Sequence, residues 1–224
     1  MRINRVFCTR SLTRNVEPTA YAALARLESL LPDARICCLD QIHSARIVIA
    51  EDLLPGELPQ ADGIISTDPD KLLCVRTADC LPVLAWAQDT LMHAAIHAGW
   101  RGLAKKIIFK GIKMMQSQGA HSIRISIGPA IGPCCYEVQR DVIDALAPSS
   151  FHIEEDSIYL DLWQEAFKQS IEAGVQKDNI KIKRLCTSCN PDKFFSYRRD
   201  GNSTGRNISA IGGDSWLLPG LQAP

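Results

Sequence analysis

Four strand-like runs stand in succession: DGIIST (62–67), KLLCVRT (71–77), LPVLAWA (81–87) and LMHAAIHA (91–98). Each is short, apolar and set off by polar residues, as strands are. RINRVFC (2–8), ARICCL (34–39), HSARIVIA (43–50), SIRISIG (122–128), NIKIKRL (179–185) and NISAIGG (207–213) read the same way. Helical patterns are isolated: PTAYAALARLESLL (18–31), a longer one from Arg101 to Gln118, EVQRDVIDAL (137–146) and LWQEAFKQSIEAG (162–174). In the second, Leu103, Ile107, Ile108, Ile112 and Met115 form one apolar stripe. Lys105, Lys106, Lys110 and Lys113 lie off it, which predicts a solvated face. Successive strands broken by single helices predict an α+β or mixed α/β sheet fold rather than a strict βαβ repeat. With no repeat, low-complexity tract or convincing linker, residues 1–224 read as a single domain.

Charge then narrows the partners. Lys+Arg and Asp+Glu both number 25, so the formal net charge is zero. That balance argues against general nucleic-acid or membrane-surface binding, but not against small anions held by a local basic cluster. No stretch approaches the ~18 apolar residues of a membrane span. The basic N-terminus has no continuous apolar core, so a signal peptide is not expected. Nine cysteines, an odd count, fit a reduced, cytoplasmic chain in which most are small buried residues. Cys37, Cys38, Cys74, Cys134 and Cys135 are expected to form neither disulfides nor a second metal site. Cys186-Thr-Ser-Cys189 resembles half a zinc knuckle or a redox motif, but a matching second pair is absent and Cys134-Cys135 are adjacent, which favours a structural role.

Chemistry concentrates in DQIHSA (40–45), RTADCLPV (76–83) and HAAIHAGWRG (93–102). Centring a hairpin between Gln88 and Asp89 puts Cys80 opposite His97, with Cβ atoms about 4.5–5.5 Å apart. Pro82 then requires its strand to be an edge, or only beginning, at that point. Such a pair suits a shared metal or a Cys–His dyad with Cys80 as nucleophile. His43, Cys80 and His97 are one set that leaves the open position of a catalytic zinc, while structural histidines remain the alternative. The zinc deaminase signature H-x-E with P-C-x-x-C is not met by PCCYE (133–137), and neither a G-x-G-x-x-G nor a Walker A sequence occurs. Arg101, Arg198, Arg199 and Arg206 sit near glycines, where arginines hold phosphate or serve as turn residues.

DQIHSA (40–45), ADGIIST (61–67), TADCLPV (77–83), HAGWRG (97–102), IGPAIGPCCYEV (127–138) and CTSCNPDKFFSYRRDG…TGR (186–206) fall in an order that resembles the laccase-domain family of YfiH/YlmD type, once named multicopper polyphenol oxidases. The resemblance spans about residues 35–211. It implies an α/β sandwich of mixed β-sheets with outer helices, and metal ligands at His43, Cys80 and His97 rather than His93. It implies a zinc-dependent purine nucleoside phosphorylase that takes adenosine, inosine, guanosine or methylthioadenosine with phosphate, and also deaminates adenosine. A catalytically weak zinc-binding protein and a Cys–His hydrolase are the alternatives. The older name implies copper, but five histidines (43, 93, 97, 121 and 152) are too few for a type-1 centre plus a trinuclear cluster. Arg101, four residues beyond a ligand, is the candidate phosphate contact. Asp79, next to Cys80, is the candidate acid/base or the partner of a ligand histidine, although an extended strand would turn it away from the Cys80 face. Residues 8–30 lack the Gly/Ser-rich segment that family members contribute to the substrate pocket, so the motifs do not carry substrate range.

Overall fold

The computed structural model describes residues 3–10, 22–54 and 56–213. Residues 11–21, with the start of the helix expected over 18–31 and about half of the segment that departs from the family, lie outside the described residues. The strands are β1 (Asn4–Phe7), β2 (Arg35–Cys37), β3 (Ile47–Ile49), β4 (Gly63–Ser66), β5 (Lys71–Thr77), β6 (Leu81–Ala87), β7 (His93–Ala98), β8 (Ile123–Ile127), β9 (Phe151–Glu154), β10 (Ser157–Leu160), β11 (Ile180–Ile182) and β12 (Asn207–Gly212). The helices are α1 (Ala22–Leu30), α2 (Trp100–Ala104), α3 (Ile107–Ser117), α4 (Arg140–Ile143), α5 (Leu162–Glu172) and α6 (Tyr197–Asp200).

One mixed sheet runs β1-β12-β5-β2 and a second runs β11-β8-β6-β7-β4-β3. The sheets pack face to face, and helices cover their outer faces. The apolar character of both faces of the central strands requires this arrangement. In β6, Val83 and Ala85 join the core under α2, α3 and α5, while Leu84 and Trp86 point to the core between the sheets. In β5, Leu73 and Val75 face that inner core, and Leu72 and Cys74 face α1 through Leu27. Burying a Leu or Ile contributes about 1.5–3 kcal/mol. A one-residue slip of β6 would exchange the occupants of two filled cores, so the register is strongly specified. The result is the expected sandwich of mixed sheets with outer helices.

The β6–β7 hairpin forms, but two residues out of the expected register. Pro82 lies opposite His97 and Leu81 opposite Ala98, because Ala87 N–H donates to Met92 O and the loop spans residues 88–91. A two-residue shift keeps every side chain on its face, since strand periodicity is two. Pro82 is tolerated in a central strand because pairing of β6 with β8 starts one residue later, at Val83.

Two local expectations change. The helix from Arg101 to Gln118 is two helices, broken where Lys106 adopts a left-handed backbone (φ 59°) and its ammonium pairs with Glu172 of α5. The lysines are exposed, as the stripe predicts. EVQRDVIDAL keeps only the single turn α4, because Glu137 bridges to Tyr159 and Val138 N–H donates to Ile158 O. That pairing partner, the β9–β10 hairpin, is invisible in the pattern because it is mostly exposed, with Ile153 68% exposed. Among the described residues no helix is long and apolar enough to cross a membrane.

Candidate active site and metal centre

The site lies where the chain leaves one sheet for the other. β5 ends at Thr77 in the first sheet and β6 begins at Leu81 in the second, so residues 78–80 make the crossing. Asp79 takes a left-handed backbone (φ 87°) to turn it. Its carbonyl accepts from Ile131 N–H, and its carboxylate accepts from Thr187 Oγ1–H and Arg198 N–H, both at 2.6 Å. This aims Cys80 at the end of β7, where His97 stands. His43 is not at the start of a strand as its sequence suggested. It lies in the loop before β3 with φ 56°, and so comes over Cys80 from outside the sheet.

One donor atom from each of His43, Cys80 and His97 lies within 4.8 Å of the others. The two imidazoles meet edge to face, with ring centroids 4.9 Å apart. An added Cβ on Gly99 would sit 3.0 Å from Cys80 Sγ and 3.3 Å from His43 Cδ2, so a residue without a side chain keeps the donor cluster open. Two imidazoles and a thiolate are a borderline-soft donor set suited to zinc, with three protein ligands and one position to spare. Burial pushes the Cys80 thiol up, but the positive charge of His97 and hydrogen bonds from both histidines outweigh it and bring the pKa to about 6. For His97, burial lowers the pKa, and the Cys80 thiolate with the hydrogen bond to Asp62 reverses that to about 9.

Asp62, which the sequence reading missed, organises the centre. Fully buried just before β4, its Oδ1 accepts from His97 Nδ1 at 2.8 Å and from His43 N–H at 3.0 Å. Its Oδ2 accepts from Ser44 N–H and Ser44 Oγ–H. Burial alone would raise its pKa, and these donors lower it instead. With Nδ1 committed to Asp62, His97 presents Nε2 to the cluster, which fixes the tautomer. The carboxylate beside a candidate ligand histidine is therefore that of Asp62 and not that of Asp79. The only signal in the sequence was an acid stranded between Ala61 and the apolar run of β4.

The centre opens into a cavity of about 540 Å³. Arg76, Arg101, Arg198 and Arg206 line it against only Asp40 and Asp79, so a neutral chain concentrates positive charge here. Arg101 stacks over Trp100 at 4.4 Å, and Arg198 over Tyr136 at 5.3 Å while donating to Cys135 O and Glu137 O. Trp100, Tyr136, Tyr197, Ile131 and Leu162 supply flat and apolar wall. Burial holds the Tyr136 phenol well above its usual range, so it stays protonated. Arg199 does not line the cavity; it donates to Thr187 O, Ser188 O and Phe194 O and braces the loop behind it.

His93 lies elsewhere, with both ring nitrogens against carbonyl oxygens of Leu91 and Lys71. All nine cysteines are free thiols. The sulfurs of Cys134 and Cys135 gather with those of Cys186 and Cys189, again within 4.8 Å, a grouping that the sequence reading did not foresee. The adjacent pair and the distant C-x-x-C pair meet because Ala130 pairs with Cys186 in an isolated bridge.

The family model "Multi-copper polyphenol oxidoreductase laccase" matches residues 13–214. The chain is 36% identical to "Purine nucleoside phosphorylase YlmD" of Geobacillus stearothermophilus over 200 residues, which cover 81% of this chain and 73% of that one. It is 37% identical to "Purine nucleoside phosphorylase" of Haemophilus influenzae over 184 residues, covering 77% of this chain and 72% of that one. Among solved structures, Bacillus licheniformis hypothetical protein YfiH superposes with a TM-score of 0.84 at 28% identity, covering 95% of this chain and 93% of that one. YlmD from Geobacillus stearothermophilus gives 0.83 at 29%, covering 94% and 92%. Sequence, fold and the order of the motifs thus agree that the chain belongs to the multi-copper polyphenol oxidoreductase laccase family, with relatives named purine nucleoside phosphorylases.

Proposed function

We propose that this chain is a zinc-dependent purine nucleoside phosphorylase whose metal is held by His43, Cys80 and His97. The observation that carries the reading is the convergence of these donors at a cavity lined by four arginines and flat aromatic side chains. The relatives' names give the reaction class. When bound, the zinc supplies a Lewis acid at one open position. Phosphorolysis joins a phosphate oxygen to C1′ of the ribose while the bond from C1′ to the purine breaks.

This chain's residues meet the demands of that exchange. Arg101 holds the phosphate, with Arg76, Arg198 and Arg206 adding to the field around it. Trp100, Tyr136 and Tyr197 give faces on which a purine can stack. Tyr136, kept protonated, can donate a hydrogen bond at neutral pH. Asp79 is a positioning residue rather than the general acid, because both its oxygens hold the loops that carry Thr187 and Arg198. Adenosine, inosine, guanosine and methylthioadenosine are the substrates to test, with deamination of adenosine as a side reaction and the cytoplasm as the place of action.

One observation favours a second reading. Cys80, His97 and Asp62 run in series like nucleophile, base and orienting acid. His43 on the same sulfur has no role in that scheme, whereas it completes a ligand set. Chromatography of adenosine incubations with and without phosphate and chelator decides between them. The zinc-loaded chain is expected to release adenine and ribose 1-phosphate only with phosphate present, and to lose this activity under chelation. Phenol oxidation by the zinc form without base release from any purine nucleoside would overturn the proposal. Cys80-dependent hydrolysis that survives chelation would replace it with the hydrolase reading.

A further inference from the structure

We propose that Cys134, Cys135, Cys186 and Cys189 form a second, tetrathiolate zinc site that fastens the 128–137 loop to the 186–190 loop beside the candidate active site. Cys189 Sγ lies 3.5 Å from Cys134 Sγ and 3.3 Å from Cys135 Sγ, and all four sulfurs are within 4.8 Å of one another. Zinc–sulfur bonds of about 2.3 Å in a tetrahedron put sulfurs about 3.8 Å apart, in the middle of that range. Cys189 reaches two sulfurs nearly equally, so the arrangement shares a centre and does not single out a pair for a disulfide. The cytoplasmic setting proposed for the chain also disfavours a disulfide. Four soft thiolates in a tetrahedral arrangement select zinc or iron, and the absence of a vacant position marks a structural site.

The backbone is shaped for the cluster. Gly132 N–H donates to Cys186 Sγ at 3.2 Å, the kind of bond that spreads thiolate charge. A Cβ on Gly132 would lie 3.2 Å from Cys134 Sγ and 3.3 Å from Cys186 Cβ, crowding the cluster. Asn190 Nδ2–H donates to Cys186 O and closes the turn of the C-x-x-C pair.

The first loop carries cavity wall, and the second holds a residue that lines it. Ile131 and Tyr136 come from the first, and Thr187 of the second holds Asp79. Arg198 ties back to the first loop at Cys135 O. A metal here therefore sets the spacing between the Ile131–Tyr136 wall and the loop that holds Asp79, without touching substrate.

Metal content of the purified full chain tests this, independently of whether nucleosides are cleaved. The wild type is expected to carry two zinc equivalents per chain. Cys80→Ala is expected to keep one, and its cobalt(II)-loaded form should show the intense sulfur-to-cobalt charge transfer of a four-thiolate site. Cys134→Ser with Cys189→Ser should lose one equivalent and retain the other. If that double variant does not fold, the C80A measurements decide alone. A C80A protein that holds no metal while its four thiols react freely would overturn the proposal. So would a disulfide among these cysteines, found by mass spectrometry of freshly prepared protein alkylated in denaturant.

Discussion

The two clusters of soft ligands differ in almost every respect that decides what a metal can do. The His43/Cys80/His97 group mixes nitrogen and sulfur, has a buried carboxylate behind one histidine and opens into a cavity. The four-cysteine group is all sulfur, has two exposed members and joins two loops. A spare coordination position with an oriented ligand suits reaction, and a filled thiolate shell suits fastening. The fold places the two accordingly. The first sits at a crossing between sheets, with His97 in β7 and Cys80 immediately before β6. The second sits between two loops already joined by the bridge of Ala130 with Cys186.

The sharpest way to break the comparison is to empty one cluster and read the other. Cys80→Ala removes the thiolate ligand, so phosphorolysis should fall to background while one metal equivalent remains. Chromatography and metal analysis on a single preparation check both halves. Retained phosphorolysis would move the reaction away from the mixed centre.

Asp62→Asn asks whether the buried carboxylate tunes the first centre. An amide has one acceptor oxygen where the carboxylate has two, so it cannot serve His97, His43 and Ser44 together. Loss of such an outer partner weakens metal affinity by about 10- to 100-fold. Competition with a metal chelator should show that loss at the first centre and none at the cysteines. An unchanged affinity would reduce Asp62 to a packing role.

These two residues also show what a sequence can reveal. Cys80 and His97 were legible because strand periodicity survives a register error: the hairpin is two residues from its expected pairing, yet both side chains keep their faces. His43 was named on the motif that carries it, although its left-handed loop conformation has no signal in the chain. The layers followed from runs apolar on both faces, such as β6. Asp62 was missed because a buried acid is recognisable only once its donors, two of them backbone N–H groups, are placed in space. The four-cysteine group was missed for a related reason: an adjacent pair has no familiar ligand spacing until an isolated bridge brings it to Cys186.

A smaller perturbation tests how tightly the first cluster is built. Gly99 needs no left-handed backbone, so Gly99→Ala acts only through its new methyl group, 3.0 Å from Cys80 Sγ. Overpacking of this size costs about 1 kcal/mol at the low end of its range, which converts to roughly fivefold weaker metal binding. Chelator competition with G99A should report that loss, again with the cysteine group unaffected. A tenfold or greater loss would mean that the cluster cannot shift even by a few tenths of an ångström.

The smallest expected effect belongs to Arg101. Its guanidinium is exposed and stacked on Trp100, and three further arginines line the same cavity. An exposed charge in a shared field contributes little alone, since solvent screens it and its neighbours compensate. Arg101→Ala should therefore raise the KM for phosphate by about two- to fivefold, leave the KM for the nucleoside nearly unchanged and spare both metal sites. Salt should shrink the difference between variant and wild type, because screening removes what the substitution removes. A rise confined to the nucleoside KM would instead assign Arg101, with Trp100 beneath it, to the purine side of the cavity. The phosphate contact would then pass to Arg76, Arg198 or Arg206.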